Sequence, residues 1–175
     1  KARADITLVS QEGKRKLTVH ALLEVDVTNA HAVITALKGK QDISFTGWIV
    51  KCVGQAAHEH HQVNAYRLGR RKIVFFDDVD IPIPVERTID GEQRPLAYIV
   101  RKANDKSVAE ITKEIRVVQQ QAIESTTEVL GANLTRFEQW TLHAPLWIKK
   151  LGLHLLRRQG LLKKKHLGTI GVTAI

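Results

Sequence analysis

A chain of 175 residues, 43% hydrophobic and 26% charged, has the length and balance of one globular domain with its own core. No apolar run reaches the ~18 residues a membrane helix needs, and Lys1-Ala2-Arg3-Ala4-Asp5 opens no secretory pattern, so a cytoplasmic protein is expected. A single cysteine excludes an internal disulfide framework, and a net charge of +9 implies an anionic neighbour.

Leu17 to Val27 is rich in β-branched and apolar residues and predicts a long strand. Thr28-Asn29 then supplies a helix cap, and Ala30–Leu37 a short helix before Lys38-Gly39-Lys40. Ser44 caps a second helix, Phe45 to about His60, with Trp48, Ile49, Cys52, Val53 and Ala56 on its expected inner face. Cys52 accordingly reads as a small core residue, not a nucleophile. At the end of that helix, His58-Glu59-His60-His61 departs from the His-Glu-x-x-His spacing of zinc proteases. It reads as solvated histidines favoured by the helix dipole, and no metal is expected.

Arg70–Phe76 and Val79–Val85 predict two strands, the second at an edge because it carries Pro82 and Pro84. Asp90-Gly91 marks a tight turn, and Leu96–Val100 predicts another strand. Ser107-Val108-Ala109-Glu110 is a capping box opening a helix to about Glu128, with Ile111, Ile115, Val118 and Ala122 on one stripe. From Leu134 to Leu162, bulky apolar residues interleave with cations, and Pro145 divides the stretch. Leu146–Arg158 predicts an amphipathic helix. Gly168–Ile175 reads as the opening of a buried strand. Alternating strands and helices without repeats make this a mixed α/β domain, one unit over residues 1–175.

The order of these segments resembles the catalytic domain of the 2-oxo acid dehydrogenase (dihydrolipoamide) acyltransferases, which share the fold of chloramphenicol acetyltransferase. Glu24-Val25-Asp26-Val27-Thr28 is similar to the family's E-V-D-V-T strand end, and Ser44-Phe45-Thr46-Gly47-Trp48-Ile49-Val50-Lys51 to its S-x-x-x-x-x-x-K helix start. Gln62-Val63-Asn64-Ala65 resembles its P-x-V-N-A turn, and Tyr98–Ser107 its P-V-I-x-x-A-D-x-K-S segment. Gly168-Thr169-Ile170-Gly171-Val172-Thr173 resembles the G-T-F-T-I-S strand. The resemblance implies a two-layer sandwich of a mixed β-sheet with helices. It also implies transfer of an acyl group between coenzyme A and a thiol such as dihydrolipoamide, in a homotrimer whose active sites lie between subunits.

In the family, a histidine in an H-x-x-x-D-G motif is the general base, and a hydroxyl on the G-T-F-T-I-S strand stabilises the oxyanion. The resemblance places Thr173 at the hydroxyl position, Asn64 as a channel-lining amide and Ser44 as a cap. None of the eight histidines lies in an H-x-x-x-D-G motif, so the base is expected beyond Ile175. The absence of methionine and the lysine at position 1 likewise make the sequence read as part of a longer protein. No lipoyl segment or Ala/Pro linker precedes the domain, so a free-standing relative is expected, with a lipoyl-bearing protein as a possible partner.

The basic block remains open to several readings. From Pro145 on there are Lys149, Lys150, Arg157, Arg158, Lys163, Lys164 and Lys165 and no acid. Lys149 and Lys163 would attract the phosphates of coenzyme A. The stretch from Lys149 to His166 would otherwise be a solvated helix face, or lie on an anionic membrane or nucleic acid, neither of which is expected. The rival to catalysis is a non-catalytic trimeric scaffold of the same fold.

Overall fold

A computed structural model describes residues 18–68, 71–89, 92–120, 128–129, 132–133, 164–165 and 167–173. The chain divides into two units, residues 1–30 and 31–175. In the first, the described residues 18–27 are irregular, which corrects the long strand expected from Leu17 to Val27. Val19, Leu22, Leu23 and Val25 are exposed. A strand needs a ladder partner, and none pairs with these residues among the described ones. Helix α1, Thr28–Leu37, starts two residues ahead of expectation. Its first turn is capped by Asp26, whose carboxylate accepts from Thr28 N at 2.9 Å and from Thr28 Oγ1 at 2.6 Å.

In the second unit, helix α2 runs from Phe45 to Glu59. Ser44 sits in extended backbone, φ −107° and ψ 152°, and its Oγ accepts from Gly47 N. The buried face of α2 is not the one expected. Gly47, Val50, Gly54 and Ala57 point inward, whereas Cys52 and Ala56 are exposed. The cause is close approach. A Cβ at Gly47 would lie 2.4 Å from Thr112 Oγ1, and one at Gly54 would lie 3.1 Å from the Ala103–Asn104 backbone. Small residues therefore line the closest contact, while Val53 of the expected stripe packs at the margin of the core and Trp48 and Ile49 are half-buried. Cys52 is an exposed thiol and not the core residue expected.

Strands β1 (Ala65–Leu68) and β2 (Lys72–Phe75) form an antiparallel pair. Strands β3 (Ile81–Ile89) and β4 (Glu92–Val100) form a longer one, in register from Ile81 opposite Val100 to Ile89 opposite Glu92. The connecting Asp90-Gly91 turn lies outside the described residues. Along β3 the side chains alternate strictly. Ile81, Ile83 and Val85 are buried, while Pro84, Glu86 and Thr88 are exposed.

Helix α3, Val108–Gln120, lays Ile111, Thr112, Ile115 and Val118 against the buried face of β3 and against α2. The capping box forms as expected, with Ser107 N to Glu110 Oε2 at 2.8 Å and Glu110 N to Ser107 Oγ at 3.2 Å. Ala122 lies outside the described residues. The short strands β5 (Glu128–Val129) and β6 (Ala132–Asn133) pair antiparallel. The mixed α/β class holds, and every ladder among the described residues is antiparallel.

Candidate functional site

Residues 168–173 form no ladder of their own, yet they lie along the outer edge of β3. Thr169 N donates to Asp80 O and Val172 N to Pro82 O, both at 3.0 Å. A strand residue whose carbonyl faces outward has its nitrogen facing outward too. Pro82, and Pro84 two residues on, therefore place their missing N–H on the side away from β4, where no ladder bond with β4 is lost.

Gly168 turns the chain onto this edge. Its φ is +63°, and a Cβ there would sit 2.5 Å from both Asp80 O and Pro82 Cδ. Only glycine combines that backbone with that approach. Ahead of it, Lys164, Lys165 and Leu167 are helical, and Gly168 N closes on Lys164 O at 2.9 Å. Ile170 and Val172 pack on the core, and Val172 borders an open cleft of ≈ 100 Å³ with Thr46, Ile83, Pro84, Val85, Ile115 and Gln119. Small-molecule sites begin at about 300 Å³, so this cleft alone does not hold coenzyme A. Thr173 follows Val172 and is exposed.

Asp80 anchors the neighbourhood. Its side chain, 10% exposed, accepts from Arg101 Nη1 at 3.0 Å and from Lys102 N at 3.1 Å, with Lys164 Nζ 4.0 Å away. Lys102 is the only non-glycine residue at positive φ among the described ones, at +50°. Its amide is held there by the Asp80 carboxylate. Arg101 also donates through Nη2 to Lys165 O, and Tyr66 O–H donates to Gly168 O. Burial pushes the Tyr66 phenol above its ordinary pKa, so it stays a donor at neutral pH. Lys164 Nζ lies 4.9 Å from the centre of the Phe76 ring.

Asn64 is fully buried. Its Nδ2 donates to Phe76 O at 2.6 Å and to Asp78 O at 3.2 Å, while Oδ1 has no partner among the described residues. The amide thus ties the start of β1 to the residues between β2 and β3. Ser44 caps α2, and its N donates to the buried Thr112 Oγ1 at 3.1 Å. Lys51 Nζ donates to Asn104 O at 2.6 Å. The His58 and His61 rings stand edge to face, 5.8 Å apart, and no group of three metal-ligating side chains occurs among the described residues. Lys149 and Lys163 lie outside the described residues, as does the expected helix from Leu146 to Arg158. No described helix is long and apolar enough to cross a membrane.

No sequence motif of their own marks Asp80, Arg101 or Tyr66. An aspartate between Val79 and Ile81, inside an otherwise apolar strand, was the available signal.

The family model for the 2-oxoacid dehydrogenases acyltransferase catalytic domain matches residues 9–135. The chain belongs to this acyltransferase family. Two solved structures are similar to it. One is a truncated catalytic core of the 2-oxoacid dehydrogenase multienzyme complex from Thermoplasma acidophilum, at 20% identity and a TM-score of 0.55 over 74% of this chain and 62% of that one. The other is a probable dihydrolipoamide acetyltransferase from Listeria monocytogenes 4b F2365, at 20% identity and 0.58 over 78% and 56%. They establish an acyltransferase-core fold, and the chain spans about three-fifths of their length. No curated protein matches the chain.

Proposed function

We propose that this acyltransferase-family domain moves an acyl group between coenzyme A and a thiol such as dihydrolipoamide. The observation that carries the proposal is the family match over residues 9–135. The reading is supported by the exposure of Thr173 at the end of the Gly168–Thr173 segment, which lies against the start of β3.

A thiol is mostly protonated near pH 7, so attack on the thioester carbonyl needs a base of matched pKa. As the sulfur bonds to the carbonyl carbon, its proton passes to the base and negative charge collects on the carbonyl oxygen. Thr173 Oγ1–H donates to that oxyanion, a contribution of ~3 kcal/mol for one well-placed donor. Collapse then expels the coenzyme A sulfur, which takes the proton back. The base is a histidine of an H-x-x-x-D-G motif, which these 175 residues do not contain. Lys149 and Lys163 attract the coenzyme phosphates, and Asn64 fixes the backbone at the start of β1. The active form is a cytoplasmic homotrimer with each site between two subunits, served by a lipoyl-bearing protein.

The test is transfer from acetyl-CoA to dihydrolipoamide by the full-length protein, read as acetyl-dihydrolipoamide by mass spectrometry. Thr173→Ala is expected to lower kcat about a hundredfold with KM little changed. A trimer that transfers nothing to any thiol, with the histidine motif present, refutes catalysis and leaves the scaffold reading.

A further inference from the structure

Two backbone bonds attach the Gly168–Thr173 segment, to Asp80 just before β3 and to Pro82 within it. Each adds little net stability, because it replaces a bond to water, and two are too few to offset the entropy of holding a chain segment in one place. Pro82 and Pro84 have no N–H with which β3 could extend that pairing. The side chains around Gly168 supply the rest. We propose that Asp80, Arg101 and Tyr66 are positioning residues that latch this segment, and with it the Thr173 hydroxyl, onto the edge of β3.

The three residues hold the segment from different directions. Arg101, just after β4, grips Asp80 with one arm of its guanidinium and the Lys165 carbonyl with the other. A planar fork spans two acceptors in this way, which a lysine ammonium does less well. Tyr66, on β1, holds the Gly168 carbonyl itself. Asp80 joins the two backbones directly, since its own carbonyl accepts from Thr169 N while its carboxylate faces Arg101 and Lys164.

Charge makes Asp80 the centre of the latch. Lys164 is 15% exposed and Arg101 39%, and both face one carboxylate. Lys102, the third cation nearby, pairs instead with Asp78 at 3.4 Å. A neutral side chain at position 80 would leave Arg101 and Lys164 repelling each other across the joint, and the segment carrying Lys164 would lift. The kinetic consequence rests on Thr173 being the oxyanion donor; the anchoring does not.

The experiment therefore reads both, in the full-length protein. Amide hydrogen exchange of Thr169 and Val172 is expected to quicken about tenfold in Asp80→Asn and Arg101→Gln, with Ile111 in α3 unchanged. Tyr66→Phe, the mildest change, is expected to do the same to a smaller extent. In the transfer assay, Asp80→Asn is expected to lower kcat about tenfold while KM for acetyl-CoA stays within about twofold. Arg101→Lys should recover part of what Arg101→Gln loses. Unchanged exchange at Thr169 and Val172 in both Asp80→Asn and Arg101→Gln overturns the latch. Released amides with an unaltered kcat overturn its part in catalysis. If the unaltered protein transfers nothing, the transferase reading fails, and the exchange result alone decides the anchoring.

Discussion

Asn64 shows how much one side chain can hold. Both hydrogens of its amide are committed to backbone carbonyls that β-pairing leaves over, at Phe76 and Asp78. Truncation would strand those acceptors in a site with no exposure, and each stranded group costs roughly 1–3 kcal/mol. Asn64→Ala is therefore expected to destabilise the protein by about 3 kcal/mol. The measurement is the urea midpoint, with the slope of the transition unchanged. A shift within error would mean that water satisfies both carbonyls and that the amide is dispensable to the fold. From sequence, Asn64 was assigned to a channel because the family turn suggested it. Its carbonyl partners lie 12 and 14 residues away, beyond the reach of any local pattern.

Among the elements, local chemistry was legible, and so was the facing of α3, whose expected stripe of Ile111, Ile115 and Val118 is buried; the facing of α2 was not. Ser44 and the Ser107–Glu110 box were readable because a cap is settled within one turn of helix. The buried face of α2 was misread because periodicity ranks faces by bulk. Here two glycines meeting Thr112 and Ala103 set the face by approach distance. The strand expected before Val27 failed for a related reason, since β-propensity says nothing about whether a ladder partner exists.

The box also makes a pH prediction. The Ser107 backbone and hydroxyl hydrogen bonds hold the Glu110 carboxyl below its ordinary range. A depressed folded pKa means the contribution is present above the unfolded value and is lost as pH falls through the folded one. Wild type should thus melt above Glu110→Gln at pH 7, and the gap should close on acidification below the carboxylate range. A gap that persists in acid would show that the carboxylate charge is not what stabilises the turn.

For the molecule as a whole, the uneven charge matters more than its sum. Seven cations and no acid follow Pro145, while the net charge of the entire chain is +9. If Lys149 and Lys163 attract coenzyme phosphates, kcat/KM for acetyl-CoA should fall with rising salt, because the Debye length shrinks to about 8 Å at physiological ionic strength. The double substitution Lys149→Glu, Lys163→Glu should flatten that dependence and leave kcat at saturation unchanged. A salt response identical to wild type would assign the block to another anion, and vesicle or oligonucleotide binding would then name which.

The prolines of β3 have one further effect. An outer edge that accepts hydrogen bonds but cannot return them at positions 82 and 84 is a poor template for a stray strand from another copy. The same two residues that leave room for the Gly168–Thr173 segment thus discourage the wrong guest. During synthesis, when β3 is made long before residue 168, that one-sidedness would make its uncovered edge a weaker site for pairing with another chain.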